Sequence, residues 1–220
     1  MLTDIHSHHF SLSNDLLRIS NILNVDRLED YLKGDGLFSV GIHPWHIHPD
    51  HWEDDIAIIK KNMAHPKILA LGEAGLDRLI DLPLNIQQDV FMSMIELSEE
   101  AQKPLIIHCV RSFAELASLH RTVKPKQKWI IHGFNIRWDI AKGLLDQNFY
   151  FSFGSAILHH KSAAALALAQ MPPDRFFLET DESHEPLDRI FAAAAKIRGV
   201  NEHVLSDDLL SRFKDIFNYG

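Results

Sequence analysis

Short apolar runs rich in β-branched residues alternate along the chain with longer stretches whose apolar positions recur every three or four residues. Strands of a parallel sheet are buried on both faces and read as continuous apolar runs, whereas the helices covering them carry an apolar stripe. The pattern predicts eight strands: Leu2–His6, Leu16–Leu23, Leu37–His43, Ile68–Glu73, Leu105–His108, Trp129–His132, Phe149–Phe153 and Phe176–Glu179. The second is half polar and also fits a helix. Ile86–Gln102 places Ile86, Val90, Phe91, Met94, Ile95 and Leu97 near a helical period and is followed by Pro104. Further helices are expected over Phe113–Arg121, Trp138–Gln147, Ser162–Gln170 and Leu187–Arg198. A last one, Ser206–Phe217, would have Ser206 as its cap and Asp207 and Asp208 in its first turn. Strands alternating with helices imply an α/β fold, a TIM-type (β/α)8 barrel whose closure is open to distortion. An open doubly wound sheet would want a glycine-rich turn after the first strand, where this chain has His6-Ser7-His8.

The residues at the predicted strand ends change the picture from fold to chemistry. Strand one runs into His6-Ser7-His8, strand three into Gly41-Ile42-His43-Pro44 and strand four into Gly72-Glu73-Ala74-Gly75-Leu76-Asp77. Strands five and six stop at His108 and His132, and the last at Glu179-Thr180-Asp181. In a β/α barrel these ends meet at one rim, where active sites are built. Packing alone gives no reason for apolar strands to stop repeatedly at His, Glu or Asp. Alternate side chains of a strand share a face, so His6 and His8 can bind one metal together. Glu73 can bridge two cations, His108 and His132 can complete a second site, and Asp181 can both ligate and accept a proton from the attacking water. Two divalent ions so held activate water near neutral pH and stabilise both oxygens of a phosphoryl displacement. His-rich ligation suits zinc or manganese, and magnesium prefers oxygen.

Other residues stay open at this stage. His43 fits a donor behind the ligands, a substrate contact or a turn residue before Pro44. Arg111 fits a bidentate phosphate contact or a surface ion pair. His43 through Trp52 reads as one proline-broken loop, His159-His160-Lys161 as a solvated loop, and Glu182 and Glu185 as solvent-facing acids. Cys109 alternates away from His108 and reads as a core filler.

Composition narrows the function classes. The 220 residues fit one domain, residues 1–220, with no repeat or linker. With 22 Lys and Arg against 30 Asp and Glu, the formal net charge is −8, which argues against broad basic-patch binding of nucleic acid. Bound cations would locally reverse that sign. No apolar run is long enough for a membrane span, the amino terminus lacks the layout of a signal peptide, and a lone cysteine suits a reducing cytoplasm. No obligate protein partner is evident.

With these residues in hand, the chain resembles the TatD-like metal-dependent hydrolases, within the amidohydrolase-type barrels. Asp4-Ile5-His6-Ser7-His8 resembles the family's D-x-H-x-H, Gly41-Ile42-His43-Pro44 its G-x-H-P, and Gly72-Glu73-Ala74-Gly75-Leu76-Asp77 its G-E-x-G-L-D. Pro104 through His108, His132-Gly133-Phe134 and Glu179-Thr180-Asp181 resemble P-x-x-x-H, H-x-F and E-T-D in the family's order. The resemblance implies a binuclear site. His6, His8, Glu73 and Asp181 would hold one ion, and Glu73, His108 and His132 the other. It also implies magnesium- or manganese-assisted deoxyribonuclease action, often from a DNA end. Three features differ: arginine falls one residue late at Arg111, the glycine usual after H-x-F is missing, and the Ser-Pro with a longer loop after Asp181 is replaced by Glu182-Ser183-His184-Glu185-Pro186. Two rival readings accompany this one: hydrolysis of a small lactone, amide or phosphoester, and an inactive metal-binding protein acting through a partner.

Overall fold

In a computed structural model that describes all 220 residues, eight parallel strands lie side by side in chain order. They are β1 (Leu2–Ser7), β2 (Leu16–Ile22), β3 (Leu37–Val40), β4 (Ile68–Asp77), β5 (Leu105–Val110), β6 (Trp129–Ile131), β7 (Tyr150–Phe153) and β8 (Phe176–Leu178). Helices follow them: α1 (Leu28–Lys33), α2 (Trp52–Asn62), α3 (Leu84–Ala101), α4 (Phe113–Val123), α5 (Trp138–Leu145), α6 (Ala163–Gln170), α7 (Leu187–Arg198) and α8 (Glu202–Ile216). A bridge between Ser7 and Asp181 brings the end of the chain's last strand to its first. The result is a nearly closed TIM-type barrel, as the strand pattern implied.

Two apolar layers hold it. The larger cluster lies between sheet and helices and includes Phe91, Leu105, Ile107, Phe151 and Ile190. The smaller one joins Ile5, Ile19, Leu69, Ile106, Ile130, Tyr150 and Phe177. Side chains from strands all round a barrel can touch one another only across its interior, so this cluster is the barrel's filling. Phe213, Ile216 and Phe217 from the end of α8 belong to it as well.

Several boundaries differ from expectation. Leu16–Ile22 is a strand, settled by pairing on both sides with β1 and β3, which outweighs its polar residues. β4 continues four residues past Glu73, so Glu73 sits inside a strand rather than at its end. α8 starts at Glu202 with Asn201 as its cap, its Oδ1 accepting the His203 N–H; Ser206 is instead buried and donates to the Met1 carbonyl. The stretch after β3 is not a plain loop, since Pro44–His46 forms a 3-10 turn and Trp52 opens α2.

Two register irregularities matter for function. One in β1 falls between Asp4 and Ser7, bracketing His6, and one in β4 falls between Leu71 and Ala74, bracketing Glu73. Bulges of this kind re-aim side chains that a regular pleat would send to one face or the other. Gly72 and Gly75 make the approach of β4 to β5 feasible: a Cβ on either would collide with the backbone of Ile106 or His108, and both glycines have positive φ.

Candidate metal centre

At the C-terminal rim the barrel gathers His6, His8, Glu73, His132 and Asp181, with His43 and His108 completing the ring around Glu73. Glu73 is buried at the middle, and its two oxygens face different partners. Oε2 lies 3.3 Å from His6 Nε2 and 3.7 Å from His8 Nε2. Oε1 lies 2.7 Å from His132 Nε2, 2.9 Å from His108 Nδ1 and 3.2 Å from His43 Nε2. Asp181 joins the first set, its Oδ1 3.3 Å from His8 Nε2 and 3.7 Å from His6 Nε2. Groups of three such atoms lie within 4.8 Å of one another, close enough to share an ion.

The framework behind these side chains is hydrogen-bonded. Asn21 at the end of β2 accepts the Glu73 backbone N–H with its Oδ1 (3.0 Å) and donates from Nδ2 to Glu73 Oε2 (3.3 Å). Asp77 accepts from His108 Nε2 (3.2 Å) and from the indole of Trp45 (2.8 Å). His108 is thus held between two carboxylates, with Nε2 on Asp77 and Nδ1 facing Glu73 at 2.9 Å. Glu179, fully buried, accepts the Gly133 N–H at 2.6 Å and lies 3.6 Å from His132 Nδ1. Asp4 is buried, takes 2.9 Å contact from Arg18 Nε, and accepts both the N–H and the hydroxyl of Thr180. Asp181, in a left-handed conformation at φ 54°, is held by backbone bonds to β1 in both directions, to the His6 carbonyl and from the His8 N–H.

His43 has a role the sequence left open. Its Nδ1 accepts the Trp45 backbone N–H at 3.1 Å, so in the neutral ring Nε2 must carry the proton. Burial lowers its pKa and keeps the ring neutral, outweighing the attraction of Glu73. His43 therefore points an N–H donor at Glu73 and His108 rather than a lone pair.

Does a cation fit? His6 is fully buried, and neither of its ring nitrogens has a hydrogen-bond partner. Such an orphan costs about 1–3 kcal/mol unless something satisfies it, and a metal would. Charge leads to the same answer. Burial opposes ionisation of Glu73, but His132, His6 and His108 outweigh it and hold the carboxylate well below its ordinary range. Burial likewise opposes protonation of His132 and His8, yet Glu73 with Glu179 lifts the first, and Asp181 with Glu73 lifts the second to about 9. Protons thus stand where cations would neutralise the carboxylates.

Arg111 is exposed, at φ 52°, and none of its groups enters the hydrogen bonds around Glu73. Cys109 packs against the larger apolar cluster, and burial pushes its thiol up to about 12. Glu185 pairs with Arg189 on the surface, and His159 and His160 are exposed. Trp45 and His46, from the stretch read as an ordinary loop, line the central cavity with Glu182. The strand-end pattern alone does not pick out Asn21 and gives no role to Asp77 or Glu179. Asn21 stands at a strand end like the histidines, but the expected strand ran on to Leu23, which hid it.

A β/α barrel that gathers this His and carboxylate cluster at its rim has the architecture and the donor set of a metal-binding barrel. The family model described as TatD related DNase matches residues 6–217, and the chain belongs to that family. It is 32% identical over 146 residues to the uncharacterized metal-dependent hydrolase YabD of Bacillus subtilis, covering 65% of this chain and 57% of that one. It is 32% identical over 160 residues to the 3′-5′ RNA nuclease TATDN2 of Homo sapiens, covering 70% of this chain and 21% of that protein. The chain spans less than two thirds of the curated relatives it first matches, 57%, 66% and 56% of their lengths. The crystal structure of YjjV, a TatD homologue from Escherichia coli K12, superposes with a TM-score of 0.86 at 19% identity, covering 99% of this chain and 98% of that one. A lactonase from Deinococcus radiodurans shares the barrel with a TM-score of 0.62 at 12% identity, covering 92% and 80%. No helix is long and apolar enough to cross a membrane.

Proposed function

We propose that this chain hydrolyses phosphodiester bonds of DNA with the help of two divalent cations. The observation that carries the reading is the division of labour at Glu73: one oxygen faces His6 and His8, the other His108 and His132. His6, His8, Glu73 and Asp181 would hold the first ion, and Glu73, His108 and His132 the second. Magnesium, manganese or zinc would supply Lewis acidity there, polarising a phosphoryl oxygen and acidifying water. His43, with its proton on Nε2, steadies Glu73 and His108 without competing for an ion.

Asp181 is the residue suited to move the proton. Its side chain is 37% exposed, against 3% for Glu73, so it alone of the two reaches both the cavity and solvent. Burial works against its charge, but the His8 hydrogen bond and the His132 and His6 charges hold it down at about 2. A value this low keeps it ionised with a free lone pair at every working pH but makes it a weak base, so transfer of a proton to it would rely on bound cations acidifying the water. The family description and the named activity of TATDN2 support a polynucleotide substrate.

End-labelled single-stranded DNA, with an RNA strand beside it, incubated with manganese or magnesium tests the reading against an Asp181→Asn control. Metal-dependent shortening that disappears in the variant is the expected result; no shortening, or equal shortening by both proteins, overturns it. One observation favours a second substrate class: no lysine or arginine lines the cavity at Glu73. A small phosphoester or lactone would need none, and turnover of these without action on either polynucleotide would establish that alternative.

A further inference from the structure

Trp45 is 64% exposed although it stands at the mouth of the site. Leaving an indole in water forgoes the stabilisation that burying it would give. It is nevertheless fixed. Its Nε1–H donates to the buried carboxylate of Asp77 at 2.8 Å, and its ring meets His43 edge-on at 86° with centroids 5.3 Å apart. It sits at the start of a 3-10 turn whose first N–H is already capped by His43. A large aromatic surface is thus held rigidly against a cavity of about 310 Å³ that also contains His8, Glu73, His132 and Asp181.

We propose that Trp45 is the platform on which a nucleobase of the substrate stacks, next to the phosphodiester that is cut. This rests on the polynucleotide reading above. Two facts point to a flat ring as its partner. No lysine or arginine lines the cavity and Arg111 stays outside it, so no long basic side chain there can reach along a strand to grip its phosphates. Sequence-tolerant binding of single strands then falls to base–aromatic stacking, which every base can make. The cavity is also at the small end for ligand sites, suited to a nucleotide at a strand end rather than to a duplex. Trp45 is a binding residue here, and its hydrogen bond to Asp77 fixes its angle.

The indole N–H and the indole face can be separated by substitution. Trp45→Ala removes both, whereas Trp45→Phe keeps an aromatic face and loses the donor to Asp77. KM and kcat are measured in manganese for an end-labelled oligothymidylate and for strands carrying an abasic nucleotide on either side of the terminal linkage. Stacking predicts that the wild-type protein prefers the intact strand, that Trp45→Ala erodes this preference roughly tenfold, in KM, and that Trp45→Phe restores most of it. An unchanged preference in Trp45→Ala, or a Phe variant that loses kcat on all strands as Ala does, overturns the proposal and leaves Trp45 as a support for Asp77. A second measurement needs no turnover: quenching of 2-aminopurine deoxynucleotide fluorescence on binding. Quenching by wild type and the Phe variant but not by Ala supports stacking even if no polynucleotide is cut, in which case the phosphodiesterase reading alone fails. No quenching by wild type overturns the stacking role.

Discussion

Asn21 grips Glu73 at both ends, accepting its backbone N–H at 3.0 Å and donating to its Oε2 at 3.3 Å, while Ser39 Oγ donates to Asn21 Oδ1 at 3.2 Å. One amide thereby fixes the rotation of the carboxylate that faces two groups of histidines. Asn21→Asp is nearly isosteric but replaces the Nδ2 donor by an acceptor and puts a second negative charge beside Glu73. It should lower activity more than Asn21→Ala, each by at least about tenfold, because ligand-supporting groups typically contribute 10–100-fold. Kinetics of the two variants at saturating manganese, with Tm as a folding control, check the order.

Asp77 orients His108 from behind, so Asp77→Asn should weaken metal binding by about 10–100-fold while leaving the barrel folded. Burial works against its charge, but hydrogen bonds from Trp45, Leu79 and His108 hold Asp77 below the ordinary carboxylate range. It is therefore a full negative charge at neutral pH, and the neutral amide cannot replace it. Competition with a fluorescent chelator reads the affinity directly; equal affinity in variant and wild type would sink the positioning role.

Metal affinity should rise with pH. In the metal-free protein His8 titrates near 9 because Asp181 and Glu73 outweigh its burial, so at neutral pH it carries a proton that an ion must displace. The sign follows: affinity climbs by about tenfold per pH unit for each proton released, from His8 and from His132, whose pKa is raised as well, and flattens only once both rings are neutral. Calorimetric titration with manganese in buffers of different ionisation enthalpy counts the protons. A flat profile between pH 6.5 and 8 would remove His8 from the ligand set.

Arg18→Ala leaves the Asp4 carboxylate buried without its cation, and loss of one partner of a buried pair costs about 3 kcal/mol. For a chain of this size that lowers Tm by roughly 6–12 °C. Combining it with Asp4→Asn should cost less than the sum of the two single changes, since both act on one interaction. Strict additivity in thermal melts would show that Asp4 and Arg18 are not coupled.

Cys109 should be inert in the folded protein. Burial lifts its pKa to about 12, so at pH 8 it has on the order of a thousandfold less thiolate than an ordinary thiol. A chromogenic disulfide reagent should react slowly with native protein and at once in denaturant; rapid native labelling would contradict the raised thiol pKa of this half-buried residue.

The alternation of apolar runs and amphipathic stretches determined the eight strands and most helices, because a parallel sheet needs both of its faces covered. His6, His8, His108, His132 and Asp181 were legible for a related reason: the ends of parallel strands converge, so polar residues repeated at those ends collect in space without any knowledge of packing. Tertiary structure alone decided the rest. Asn21 lies 52 positions from Glu73 and meets it only because β2 is drawn alongside by pairing with β3. The tautomer of His43 is set by a backbone N–H two residues on, and the orientation of His108 by a carboxylate one strand away. The bulges around His6 and Glu73 leave no periodic mark, since a one-residue slip in register changes direction without changing composition. Arg111 shows the converse. It follows His108 closely in the chain, but a left-handed backbone turns it out to solvent. Closeness along a chain fixes direction only within a regular element. Beyond the element, packing chooses which side chains face the site.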